Sequence, residues 1–173
     1  MQKDTFTLFV KYNRTANEGM NTVIKTLSPE EWDKDLGGYF KSIRGLCSHL
    51  YVCDFNWLKR FSKFRDFAVF NDPFFLRDMY SYREVLFPDI GEYLSKRPVL
   101  DEKMIAFVDE ISGKDLQSSI QYTGSGGTPY ERNFGGALMQ CLNHETHQRG
   151  MISFCLEMLG RDNDFSSFGQ VYK

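Results

Sequence analysis

A chain of 173 residues with 21 basic and 23 acidic side chains, a formal net charge of −2, offers no broad positive field for a phosphate backbone, so no nucleic-acid partner is expected. That length fits one domain over residues 1–173, able to bury about two thirds of its unfolded surface around a single core. No apolar run approaches the about 18 residues needed to cross a bilayer, and MQKDTFTLF has neither the apolar core nor the cleavage site of a signal peptide, so a cytoplasmic protein without a membrane partner is expected.

Asp4 or Thr5 can cap a first helix whose Phe9, Tyr12, Ala16, Met20, Val23 and Leu27 recur at three- and four-residue steps. Ser28-Pro29-Glu30-Glu31 then supplies a cap, a proline at the first helical position and a reciprocal glutamate, which predicts a short helix through Trp32. Gly37-Gly38 closes it. From Ser42 a second long helix is expected, with Leu46, Leu50, Cys53, Trp57, Leu58 and Phe61 on the buried side and His49 among them, four residues before Cys53.

Between Ser62 and Ser81 the period is lost and Asn71-Asp72-Pro73 marks a turn, so a loop with one short helix is expected. Ile90 to Ile111 reads as a helix kinked at Pro98, ended by Ser112-Gly113-Lys114-Asp115. Two polar-alternating pieces, Gln117 to Thr123 and Thr128 to Asn133, flank Gly124-Ser125-Gly126-Gly127 and suggest a small hairpin or an irregular crossover. Those glycines are not followed by the Gly-Lys-Ser/Thr of a phosphate loop, so they serve turn geometry. The last helix runs from about Phe134 to Leu159 and stops at Gly160. Four long helices with one long crossover make an all-α four-helix bundle with short extra helices or a hairpin in its loops.

Successive helical residues turn by about 100°, so His144, His147 and Gln148 share about one third of the last helix's circumference. Leu142, Met151, Ile152, Cys155, Leu156 and Leu159 form its apolar stripe, and Gly150 invites close approach of another helix. A bundle that pairs this helix with the second brings His49 to the same place. Neutral imidazoles suit zinc or nickel and an amide oxygen can add a weaker bond, while on spacing alone a hydrogen-bonded polar patch is the commoner outcome. Glu145 and Arg149, four apart, read as a surface ion pair. Tyr12 and Asp54 read as ordinary core-edge hydrogen-bonding groups, with reach to the cluster, as proton donor and acceptor respectively, the alternative. Cys47, Cys53, Cys141 and Cys155 form no Cys-x-x-Cys pair and read as reduced, packed thiols. The aromatic side chains, 16 Phe, 9 Tyr and 2 Trp, either line an apolar cavity or fill the bundle.

YNRTANEGM and DKDLGGYFKSIRGLCSHLYVCDFNWL in the first third, with LNHETHQRGM and CLEMLG near the end, together resemble the DinB/YfiT-like family, named for DNA-damage induction rather than for polymerase activity. The resemblance spans nearly the whole chain and implies a helical bundle holding a divalent metal, commonly zinc or nickel. Its ligands are one histidine of the second helix and two from an N-H-x-x-x-H-R-G pattern on a later one. Carried onto this chain, the first is His49 and the second His144. The third position is Gln148, a departure that implies weaker or altered binding, with His147 as an i, i+3 substitute. Thr15 stands where the family often has tryptophan, which implies a reshaped cavity.

Two functions follow from the resemblance. One is a metal-dependent enzyme that acts on a small-molecule substrate with a low-molecular-weight thiol, as S-transferase, isomerase or hydrolase. The other is a non-catalytic binding or stress-response module on the same bundle with a weakened or lost metal site. A homodimer through a spare apolar face is expected for either.

Overall fold

Alternating apolar runs and strong caps shape the chain, which the computed structural model describes over residues 2–124 and 126–171. Helix α1 (Lys3–Ile24) begins without a side-chain cap and buries Phe6, Val10, Met20 and Ile24. Ser28 caps α2 (Pro29–Asp33) in the expected reciprocal arrangement with Glu31, and Ser42 caps α3 (Ile43–Phe61) by accepting from Gly45 N. After the crossover, α4 (Ile90–Glu110) continues through Pro98 as one helix. Ser112-Gly113-Lys114-Asp115 does more than end α4: Ser112 and Asp115 cap each other to start α5 (Gly113–Gln117).

Strands β1 (Ser119–Thr123) and β2 (Pro129–Asn133) pair antiparallel, from Ser119 opposite Asn133 to Thr123 opposite Pro129. Of the glycine-rich turn between them, Ser125 lies outside the described residues. Asn133 then caps α6 (Phe134–Met158), and Gly160 closes it at φ +71°, a left-handed conformation that glycine takes without strain. The described residues are thus mostly helical with one small sheet, and no helix is long and apolar enough to cross a membrane.

The four long helices share one core. Helix α1 lies against α4 and α6, and α3 lies against α6 and α4. The crossover between α3 and α4 holds two short 3-10 turns, Ala68–Asn71 and Pro73–Phe75, where one short helix was expected. Its later part is laid along α3 by specific bonds. Asn56 Nδ2 donates to Tyr80 O and Asn56 Oδ1 accepts from Tyr80 N, both at 2.9 Å, and Leu86 N donates to Ser48 Oγ at 2.9 Å. Gly150 has no packing role: a Cβ there would meet nothing within 4 Å, because it lies on an open groove.

The core is not purely apolar. Glu145 and Arg149, read from sequence as a surface pair, are 1% and 3% exposed and belong to a buried network spanning all four long helices. Arg97 NH1 on α4 donates to Asp54 Oδ2 on α3 at 2.5 Å, and Arg97 also binds Asp101 and approaches Glu145 Oε2 at 3.5 Å. Asn13 and Asn17 on α1 complete the network. Asn13 Nδ2 donates to Glu145 Oε1 at 3.0 Å, Asn17 Nδ2 to Asp101 Oδ1 at 2.9 Å, and Arg149 NH2 donates to Asn13 Oδ1 at 2.6 Å.

Removing one partner from a buried ion network strands the others. Arg97→Met is expected to lower unfolding stability by about 3–5 kcal/mol in denaturant titration, and Arg97→Met/Asp101→Asn by less than the sum of its single changes, because one stranded carboxylate is neutralised.

Candidate metal centre

Residues four apart on a helix lie one above the other, so α3 presents His49 and Cys53 on one face, and the packing of α6 against α3 brings His144 opposite them. Ligand atoms of His49, Cys53 and His144 all lie within 4.8 Å of one another, and the two imidazole centroids are 5.4 Å apart. His49 Nδ1 faces the Tyr82 carbonyl at 3.4 Å, which fixes the ring proton there and leaves the Nε2 lone pair on the side of Cys53 Sγ, also at 3.4 Å.

Gly45 allows this arrangement. A Cβ at that position would lie 2.0 Å from the Phe40 carbonyl oxygen, so only glycine lets segment 36–41 close onto α3. The Phe40 ring then stacks on His49, 4.2 Å between centroids. Lys41 takes a left-handed φ of +66° in the same segment, completing the turn into Ser42.

Gln148, one turn beyond His144, is buried, and its Nε2 lies 3.2 Å from His144 Nε2. Since an amide NH2 can only donate, the His144 proton sits on Nδ1 in this arrangement. His144 Nδ1 and Gln148 Oε1 are both buried without a hydrogen-bond partner. Gln148 Oε1, the unmet acceptor of this pair, suits a dication, and two imidazoles, a thiol and an amide oxygen are a donor set that zinc or nickel accepts. The residues present therefore fit a divalent ion.

His147 takes no part in this group. It is exposed and lines a separate, largely apolar groove of about 600 Å³ with Tyr39, Met151 and Phe154; its three-residue step turns it about 60° from His144, away from Gln148. A second cavity, of about 410 Å³, is lined by His49 with Phe40, Ser42, Tyr82 and Glu84, though not by Cys53 or His144. Tyr12 points elsewhere, donating its hydroxyl to Ser166 O at 3.0 Å, and Asp54 turns into the Arg97 network. Cys141 is a packed thiol. Cys53 is the residue that reading the stripe as apolar packing missed; its signal was the step of four from His49.

Burial sets the protonation states. It pulls His144 down to about 4, helped by the charges His49 and His147 would carry, and lowers His49, so both rings are neutral and ready to donate lone pairs. The Cys53 thiol is pushed up to about 12 by burial and then by Asp54, so without a bound cation it stays protonated and is a poor nucleophile.

A model of the DinB family matches residues 1–165. The chain belongs to the DinB family. It is 25% identical over 159 residues to Protein DinB of Bacillus subtilis (strain 168), an alignment covering 92% of this chain and 88% of that protein. No solved structure matches the chain.

Two outcomes follow from this geometry. Gly45→Ala should push Phe40 off His49, moving the His49 ring-proton resonances and costing about 1–3 kcal/mol of stability by unfolding titration. His144 favours its neutral form in the folded state, so its contribution to metal-free stability is full above the ordinary value of 6.5 and drains away as pH falls towards 4. Relative to His144→Gln, the wild type should therefore lose stability across that window in denaturant melts at stepped pH.

Proposed function

We propose that this DinB-family protein is a divalent-metal-dependent enzyme on a single four-helix bundle of the DinB/YfiT type, acting on a small molecule with a low-molecular-weight thiol. The observation that carries this reading is the His49, Cys53 and His144 group, whose ligand atoms converge within 4.8 Å beside the cavity that His49 lines. A bound zinc or nickel dication supplies Lewis acidity there, lowering the pKa of a coordinated thiol or water.

The chain's own residues do the rest. His49 and His144 hold the ion as neutral donors, Gln148 adds an amide oxygen, and Cys53, inert as a free nucleophile at its raised pKa, serves as the soft anionic ligand. The Tyr82 carbonyl orients His49, and Phe40 covers one face of that ring against water. In the transferase form of the reaction, the thiol sulfur bonds to the electrophilic carbon while the leaving group departs with the bonding pair. The thiol proton passes to solvent. Isomerisation and hydrolysis are the neighbouring chemistries. A cytoplasmic homodimer completes the reading, with the exposed Phe154 and Met158 as apolar surface to cover.

Gln148 favours a second reading, a binding or stress-response module that has kept the bundle and lost the metal. Metal analysis of protein purified without a chelating tag separates the two. The enzyme reading expects stoichiometric zinc or nickel, lost on His49→Ala or His144→Ala, and tighter binding in Gln148→His. It also expects a thiolate-to-metal charge-transfer band in the cobalt-loaded protein that Cys53→Ser abolishes. Absence of bound metal at saturating supply would leave the module.

A further inference from the structure

Arg60, on α3, is only 7% exposed, yet among the described residues no carboxylate pairs with it. Its NH2 donates to the Thr123 carbonyl on β1 at 3.2 Å, and its Nε is buried with no hydrogen-bond partner. Three aromatic rings surround the guanidinium, those of Trp57, Tyr122 and Tyr82, at 4.8, 5.1 and 5.7 Å to the centroids. The Tyr82 hydroxyl approaches Arg60 and Asn56 but reaches hydrogen-bond geometry with neither. Aromatic faces offset part of the cost of burying a cation, and they also hold the guanidinium plane rigid for a forked acceptor.

This cation lines a cavity of about 540 Å³ between α3 and the hairpin, with exposed Lys63 at its edge. Glu131 also lines the cavity, accepting from Gln121 Nε2 at 3.4 Å. We propose that Arg60 anchors an anion subsite in this cavity, which takes the carboxylate or phosphate group of a small molecule. A desolvated guanidinium whose Nε–H is unmet, with no carboxylate paired to it among the described residues, is a group suited to bind such oxyanions.

The subsite also stands in register with the metal centre. Seven residues separate Cys53 from Arg60 and eleven separate His49 from it, which places all three within about 40° on α3, with Arg60 about 10 Å along the axis from Cys53. Tyr82 joins the two places, its carbonyl on His49 and its ring beside Arg60.

Titration of the full chain with succinate and, separately, with inorganic phosphate tests the subsite, read by Trp57 fluorescence and by the Arg60 Nε–H resonance. Saturable binding of either probe is expected, and the one preferred assigns the oxyanion class. Affinity should fall about tenfold or more in Arg60→Met, recover in part in Arg60→Lys, and change only a few-fold in Lys63→Ala. The subsite is overturned if neither probe saturates, if Arg60→Met binds as the wild type does, or if the Arg60 Nε–H resonance stays fixed at saturation, a readout that needs no variant to fold. His144→Ala should bind the probes as the wild type does, so a protein that holds no metal but keeps the Arg60-dependent binding refutes the metal reading and not this one.

Discussion

The buried network centred on Arg97 is the constraint to which the rest of the molecule is tied. Three carboxylates, Asp54, Asp101 and Glu145, and two guanidiniums, Arg97 and Arg149, sit inside the protein with Asn13 and Asn17 bonded between them. Such a cluster is costly to desolvate and adds little net stability against an apolar core of the same volume. Its consequence lies in register. Sliding any one helix by a turn would leave a charge buried without its partner, so one axial alignment of α1, α3, α4 and α6 is favoured over its neighbours. Burial raises Asp54 and Asp101 to about 6 and Glu145 to about 7, with Arg97 opposing in each case, so the acids depend on the guanidiniums to stay ionised.

That alignment also assembles the candidate metal centre. Cys53 precedes Asp54 on α3, and His144 precedes Glu145 on α6; one residue is about 100° of turn, so network and ligand group occupy adjoining faces of the same two helices. Holding Asp54 and Glu145 to Arg97 therefore holds Cys53 and His144 at matching heights. The crossover acts from the other side, where Asn56 and Ser48 pin Tyr80 and Leu86 and so deliver the Tyr82 carbonyl to His49. Rigid supports of this kind allow a pocket ligand set to be preorganised, and they explain why long loop 62–89 is ordered along α3.

The helices were legible because caps and apolar periods are local signals, and Ser28, Ser42 and Asn133 each cap where the sequence places a start. His49 and His144 were legible as a convergent pair because both lie on faces that must pack. The network was not, for a physical reason. On α6 the buried positions run Leu138, Leu142, Glu145, Arg149, Ile152, Leu156, and on α1 Phe6, Val10, Asn13, Asn17, Met20, Ile24. Polar residues keep the three-four period there, but a stripe sought among apolar residues alone rotates away from them, towards Phe9 and Val23 on α1 and towards a surface pair on α6. Exposure of His147 and burial of Glu145 are two sides of that one rotation. The step of four from His49 to Cys53 was visible, yet a half-apolar residue such as cysteine reads as packing until a second element brings a donor opposite it.

Cys53 and Gln148 belong to one exchange of chemistry. A site of neutral imidazoles leaves a dication its full charge, which favours ionising a bound nucleophile; an amide oxygen in place of an imidazole keeps that charge while weakening the hold. A thiolate from Cys53 reverses both effects, binding a soft dication tightly and cancelling one unit of its charge. Ionising that thiol against burial and the neighbouring Asp54 costs free energy that a bound cation would return, so occupancy of the group and loss of the Cys53 proton would be linked.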